Sequence, residues 1–212
     1  MANAQKFVDF IKTLPNEDQQ TIIDSLTQIK NDYYAPENNN PSKMYPDGIK
    51  KWLNDDYEPH RTDKDANGQT LPAEVHPDGT KKWWKNGEIH RTDKDANGQT
   101  LPAFIHANGT KQWRQNGQLH RTDTDANGQT LPAAIYYDGT KSWWKNGQRH
   151  RTEKDVNGQT LPALIYPDGT KKWWQDGQLH RTDVIGGKLQ PAVVDKDGNK
   201  RYYINGQKLE YE

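Results

Sequence analysis

Five histidine–arginine pairs recur at a fixed interval: His60-Arg61, His90-Arg91, His120-Arg121, His150-Arg151 and His180-Arg181, thirty residues apart each time. Imidazole and guanidinium at regular spacing could build a metal or phosphate ladder. A shared metal needs its ligands within about 2.1 Å of the ion. Units of three strands, at about 4.8 Å per strand, would hold successive histidines roughly 14 Å apart, too far to share one ion. The pattern predicts a structural role instead. Each His packs with the Trp of the adjacent strand, and each Arg reaches an Asp of the link that follows.

The links carry a second candidate chemistry. Asp63-Lys64-Asp65-Ala66-Asn67-Gly68 returns at 93 and 123, and as Glu153 to Gly158. D-x-D-x-N-G is the front half of a calcium loop, with oxygens at positions 1, 3 and 5 and Gly for the sharp turn. Position 12 should then supply a bidentate carboxylate. Glu74 does so, but Phe104, Ala134 and Leu164 stand there in the other copies. Asp and Asn also form Asx turns in polar connections. That reading needs no metal, and neither a metal nor a cofactor is expected.

Third come the tryptophans. Lys-Lys-Trp-Trp beside His-Arg could stack and hold single-stranded nucleic acid. The link carboxylates cancel that charge, and 29 Lys and Arg against 29 Asp and Glu give a formal net charge of zero, so nucleic acid is not an expected partner. Regular exposed indoles also suit sugar rings, which stack on aromatic faces. No Ser-His-Asp order, paired-carboxylate signature or phosphate-cradling glycine loop stands out, and the histidines repeat where a catalytic group would be singular. The expectation is a binding protein, not an enzyme.

The elements that position these residues follow from turn signals. Within one unit three short strands can be read: Pro72 to His76, Lys81 to Lys85, and Ile89 to Thr92. Asp-Gly recurs at 47, 78, 138, 168 and 197, with Asn108-Gly109 in the remaining unit. Asn-Gly recurs at 86, 116, 146 and 205, with Asp176-Gly177 once. Both dipeptides are strong hairpin signals, because type I′ turns need positive φ at two central residues. Side chains alternate between faces along a strand. Trp83, Trp113, Trp143 and Trp173 keep their type, as do the Val75/Ile105/Ile135/Ile165/Val194 and Ala73/Ala103/Ala133/Ala163/Ala192 series. They are assigned to the buried face, with the indoles stacking unit upon unit into a spine. Trp84, Arg114, Trp144, Trp174 and Tyr203, with Phe104 in the first strand, drift in type on the other face. An exposed aromatic patch there would mark a binding surface; the alternative is that this face too is partly covered.

Hydrophobic residues make up 31% of 212, with three Phe against eight Trp and ten Tyr, so the core is thin and aromatic. The chain has no Cys and therefore no disulfide or thiolate metal site. Residues 1–35 read as a helical hairpin. Phe7, Phe10, Ile11 and Leu14 form one stripe, Pro15 ends the first helix, Asn16 and Gln19 suit a capping box, and Ile22, Leu26 and Ile29 form a second stripe with Ile23 beside it. Residues 36–43 are a linker rich in Asn and Pro. The repeat array runs 44–212, with units about 44–70, 71–100, 101–130, 131–160, 161–189 and 190–212; the atypical first and last units suit caps. The N-terminus lacks a signal-peptide pattern and no stretch approaches a membrane span, so a cytoplasmic protein (host cytoplasm if viral) without integral membrane association is expected.

Trp144-Lys145-Asn146-Gly147-Gln148-Arg149-His150 and Tyr166-Pro167-Asp168-Gly169 resemble MORN repeats. More closely, the chain is similar to the variant arrays of phage, giant-virus and bacterial proteins that read W-x-x-N-G-x-x-H-R-x-x-G-P-A, some of them antitoxin-like. The resemblance covers most of the chain after residue 44, with the H-R-x-x-G-P-A link expanded here to fourteen residues, His90 to Ala103 being one copy. It implies a mainly β, elongated array of antiparallel hairpins used for protein–protein contact or self-association, without catalysis; phospholipid-surface binding is a weaker implication. The expected function is a non-enzymatic scaffold that binds a protein through Trp84, Arg114, Trp144, Trp174, Phe104 and Tyr203, as an inhibitor, antitoxin or adaptor. The alternative is a glycan-binding module using the Trp row. Burying the helical stripes against a second copy would make a homodimer.

Overall fold

The computed structural model describes residues 10–15, 18–22 and 40–210. The architecture is mainly β. A 13-stranded antiparallel sheet crosses every unit of the array, and five two-stranded sheets flank it. Each internal unit gives the long sheet two strands, Glu74–Val75 and Lys81–Lys82 in one copy. These pair with each other, and Lys81–Lys82 then pairs with Phe104–Ile105 of the next unit. Unit-to-unit pairing makes the sheet continuous.

The strand read from Lys81 to Lys85 is divided. Trp83 is its pivot: the Trp83 amide donates to Ala103 O at 2.9 Å and its carbonyl accepts from His90 N at 2.9 Å. Trp84–Lys85 leaves the long sheet to form a second hairpin with Glu88–Ile89. The link is a third hairpin, with Lys64 opposite Thr70 and Leu71 N donating to Asp63 O at 2.8 Å. A thirty-residue unit is therefore three hairpins rather than three strands and a loop.

The two turns of a unit behave differently. Asn86 and Gly87 both have positive φ, 48° and 74°, as type I′ requires. In the first turn of each unit, Asp-Gly or Asn108-Gly109, only the glycine does. Gly79 has φ 92°, His76 N donates to Thr80 O at 2.9 Å, and Asp78 Oδ1 accepts the Thr80 amide at 2.8 Å. This is the three-residue loop that ends in a left-handed glycine. The difference follows the turn's place in the unit and not the identity of its first residue: Asn108 Oδ1 accepts the Thr110 amide at 3.0 Å as the aspartates do, and Asp176, in the second turn, has φ 49°.

At four junctions one threonine joins a unit to the next. The Trp83 indole Nε1 donates to Thr70 O at 2.6 Å. Asp93 accepts the Thr70 amide at 3.0 Å and the Thr70 hydroxyl at 2.9 Å. Arg91 Nε donates to Asp93 at 2.9 Å, and its guanidinium lies 4.0 Å from the centre of the Trp83 ring. Thr100 and Thr160 are held the same way by Trp113 with Asp123 and by Trp173 with Asp183. Trp and Arg are both buried here. A buried guanidinium is costly unless paired. Its pairing with Asp93, its bond to Pro102 O at 3.3 Å and its stacking on the indole offset that cost. The expected stack of indole on indole does not form: a guanidinium covers each conserved indole, and the ring stack among the described residues is Phe104 on His106.

The first of the series departs from this pattern. Trp52 Nε1 is buried without a partner, and the Asp63 side chain is 47% exposed against 9% for Asp123. Position 39, where the threonine would stand, is Asn and lies outside the described residues. Thr140 Oγ1 is buried and unpartnered for another reason. Thr80 and Thr110 hydroxyls accept the amides of Ala107 and Tyr137, and the corresponding residue for Thr140 is Pro167, which has no N–H.

At the N-terminus, residues 10–11 and 18–22 are helical. Gln19 Nε2 donates to Leu14 O at 2.7 Å. Phe7, Asn16, Ile23, Leu26 and Ile29, on which the rest of the helical hairpin depends, lie outside the described residues.

Two outcomes test the clamp. Glu153 stands where the other clamps have Asp; it takes the Thr130 hydroxyl and Arg151, without the amide bond that Asp93 accepts. Glu153→Asp restores that bond, so chemical denaturation should show a gain of about 0.5–1.5 kcal/mol. Burial raises the carboxyl pKa values of Asp93, Asp123 and Asp183, but hydrogen bonds from Arg and from Thr outweigh it and hold them below the ordinary range. Their contribution is complete above the unfolded value of about 3.9 and is lost as pH falls through the lowered folded values. Urea midpoints should therefore fall between pH 5 and pH 2 in wild type, and less steeply in a D93N/D123N/D183N variant.

Candidate binding surfaces

Directly opposed residues in an antiparallel sheet share a face, so the long sheet presents two rows. The inner row runs Glu74, Lys82, Phe104, Gln112, Ala134, Ser142, Leu164, Lys172 and Val193, with the second hairpins on that side. The outer row alternates β-branched residues with lysine: Val75, Lys81, Ile105, Lys111, Ile135, Lys141, Ile165, Lys171 and Val194, from the same registers.

The inner row holds what the sequence pattern assigned to an open face. Glu74, Ala134, Leu164 and Val193 are buried, and Phe104 is half-buried. Trp84, Arg114, Trp144, Trp174 and Tyr203 are half-buried in the second hairpins. The indole nitrogens of Trp84, Trp144 and Trp174 are covered and unpartnered. Arg114 donates to Gln112 Oε1 at 2.9 Å and Gly117 O at 2.7 Å, and burial pushes its pKa down. Of the anticipated set, Phe104 and Tyr203 lie on strands of the long sheet, Tyr203 in its terminal hairpin, and the others on the two-stranded hairpins. The Ala and first-Trp series are buried as expected, whereas Val75, Ile105, Ile135, Ile165 and Val194 are half-buried and not core.

Drift in type on the inner row is compensated packing. Ala134 and Ser142 are both fully buried and small. The room they leave takes Arg149, a residue the sequence reading did not single out. Its Nε donates to Ser142 Oγ at 3.2 Å, and its guanidinium lies 4.7 Å from the Trp144 ring and 5.1 Å from the Trp174 ring. Glu74 is the charged counterpart. Burial raises its carboxyl pKa, but hydrogen bonds from Lys82 and His76, with Lys51 nearby at 3.3 Å, leave it lowered.

The histidine ladder is spent on the backbone. Nδ1 of His60, His90, His120, His150 and His180 accepts the amide of Asn86, Asn116, Asn146, Asp176 and Asn205 of the following unit, at 3.1–3.2 Å. The link aspartates are spent likewise. Asp65 Oδ1 accepts from Asn67 N and Gln69 N at 2.9 Å each, which is the Asx turn. Among the described residues no group of three or more His, Asp or Glu could hold a metal ion.

Beside the outer row lies a groove of about 740 Å³. Ile135 and Ile165 of the sheet and Leu101, Pro102, Leu131, Pro132, Leu161 and Pro162 of the links supply its apolar surface, and Lys111, Lys141 and Lys171 edge it. Sequence reasoning missed this groove by assigning the Ile series to the core. The signal was present: the same strands carry Lys at the opposed position in every unit, which a core face would not accept.

The chain matches no protein-family model and no curated protein. What the fold defines is a class: a repeat protein of antiparallel β-hairpins joined in one sheet. No helix among the described residues is long and apolar enough to cross a membrane.

A double-mutant cycle separates packing from exposure on the inner row. Ala134→Phe places in this copy the residue that stands at Phe104, and should cost about 1–3 kcal/mol by overpacking against Arg149. Arg149→Leu should relieve part of that cost, so the double variant is more stable than the sum of the singles predicts. Additive effects near zero in urea melts would mean the face is open.

Proposed function

We propose that the protein is a non-enzymatic scaffold, a MORN-like hairpin array that binds another protein, with an inhibitor, antitoxin or adaptor role. One observation carries the reading: a groove of about 740 Å³, with an apolar Leu-Pro-Ile surface, lies along the outer row of the sheet. Grooves of this kind, apolar with a few charged groups at the edge, are where ligand and peptide recognition concentrates. The inner face is the poorer surface because its own side chains fill it. The MORN-like reading draws support from the succession of hairpins in one sheet and from the recurring Trp, Asn-Gly and His-Arg.

The test compares two variants in affinity capture with cross-linking. Ile135→Asp/Ile165→Asp alters the groove, and W84A/W144A/W174A alters the inner hairpins. Partners bound by wild type and lost from the folded groove variant support the reading. Partners lost only from the Trp variant move the surface to the inner face. Equal recovery by all three forms removes protein binding through either.

A further inference from the structure

The outer row carries a charge pattern that the zero net charge conceals. Lys50, Lys81, Lys111, Lys141, Lys171 and Lys200 occupy one line of directly opposed positions, on every second strand of the long sheet. All six are exposed. The lysines that form ion pairs among the described residues are others: Lys51, Lys82, Lys196 and Lys208. Across the groove, Asp95 and Asp125 form no ion pair with a lysine of the row. Each accepts two backbone amides of its own turn, and they face Arg121 and Arg151.

Neighbouring strands lie about 4.8 Å apart, so lysines on alternate strands repeat at about 9.6 Å. A polyproline II helix has three residues per turn and rises about 3.1 Å per residue, so every third side chain returns to one edge at about 9.3 Å. The two pitches agree. A β-strand would not serve, because its residues i and i+3 point to opposite faces. Nor does the row suit single-stranded nucleic acid, which binds where aromatic rings alternate with cations. Here the side chains between the lysines are Val and Ile, which accept apolar residues of a peptide.

We propose that the lysine row and the adjoining Leu-Pro groove bind an extended, polyproline-like protein segment with an acidic residue at every third position. The proposal rests on the protein-binding function above and names the chemistry of the partner. Carboxylates of the segment pair with Lys81, Lys111, Lys141 and Lys171, and its other residues lie against the apolar surface.

Fluorescence anisotropy with the full chain tests it. The probe is a labelled (Glu-Pro-Pro)5 peptide, compared with a peptide of equal composition whose glutamates are blocked at one end, and with a dT15 oligonucleotide. The repeating peptide should bind at least tenfold tighter than either control and weaken steeply as salt is raised. K111Q/K141Q/K171Q should reduce its affinity at least tenfold with an unchanged melting temperature, these lysines being exposed. Equal affinity for the blocked peptide, tighter binding of the oligonucleotide, or indifference to the lysine substitutions overturns the proposal. A partner captured through the groove that does not compete with the peptide overturns this proposal alone and leaves the protein-binding reading intact.

Discussion

Three junctions of this array are each held by three polar groups of one threonine in the preceding unit, Thr70, Thr100 or Thr160, and Thr130 supplies two at a fourth. The carbonyl of Thr70 takes the Trp83 indole proton, and its amide and hydroxyl both go to Asp93. The remaining residues of the motif serve that contact. Arg91 fixes the carboxylate and covers the indole, and burying a guanidinium in this way is tolerable only because both neighbours are present. Loss of one member leaves the others as buried, unpaired groups, which is why Trp, Arg, Asp and Thr recur together.

Nearest-neighbour contacts of this kind make stability a sum over interfaces. Small differences between copies then have local consequences. Glu153 leaves the Thr130 amide without the bond that Asp93 gives Thr70, and Pro167 orphans the hydroxyl of Thr140.

The two faces of the long sheet divide the work. Inside, Ala134 and Ser142 form a small opposed pair and Arg149 occupies the space above them, while Glu74 is held between Lys51 and Lys82. Outside, alternation of Lys with Val or Ile keeps the row wet yet apolar between the charges. A uniform row across many strands also gives the sheet face a defined pitch, set by strand spacing rather than by any single side chain.

The sequence by itself determined the thirty-residue period, the type I′ turns at Asn-Gly, the burial of the Trp83 and Ala73 series and the pairing of Arg with the link aspartate. These follow from local chemistry: φ preferences, alternation along a strand and the reach of a guanidinium. Only the tertiary structure decided that the link is a hairpin, that a guanidinium and not a second indole covers Trp83, and that the drifting positions face inward. Constancy and drift were poor guides to burial. A packed face can vary when its partners vary with it, as Ala134, Ser142 and Arg149 do, and an exposed row can stay constant, as the outer lysines do. The physical reason is that packing constrains the sum of facing volumes, which a single strand does not reveal.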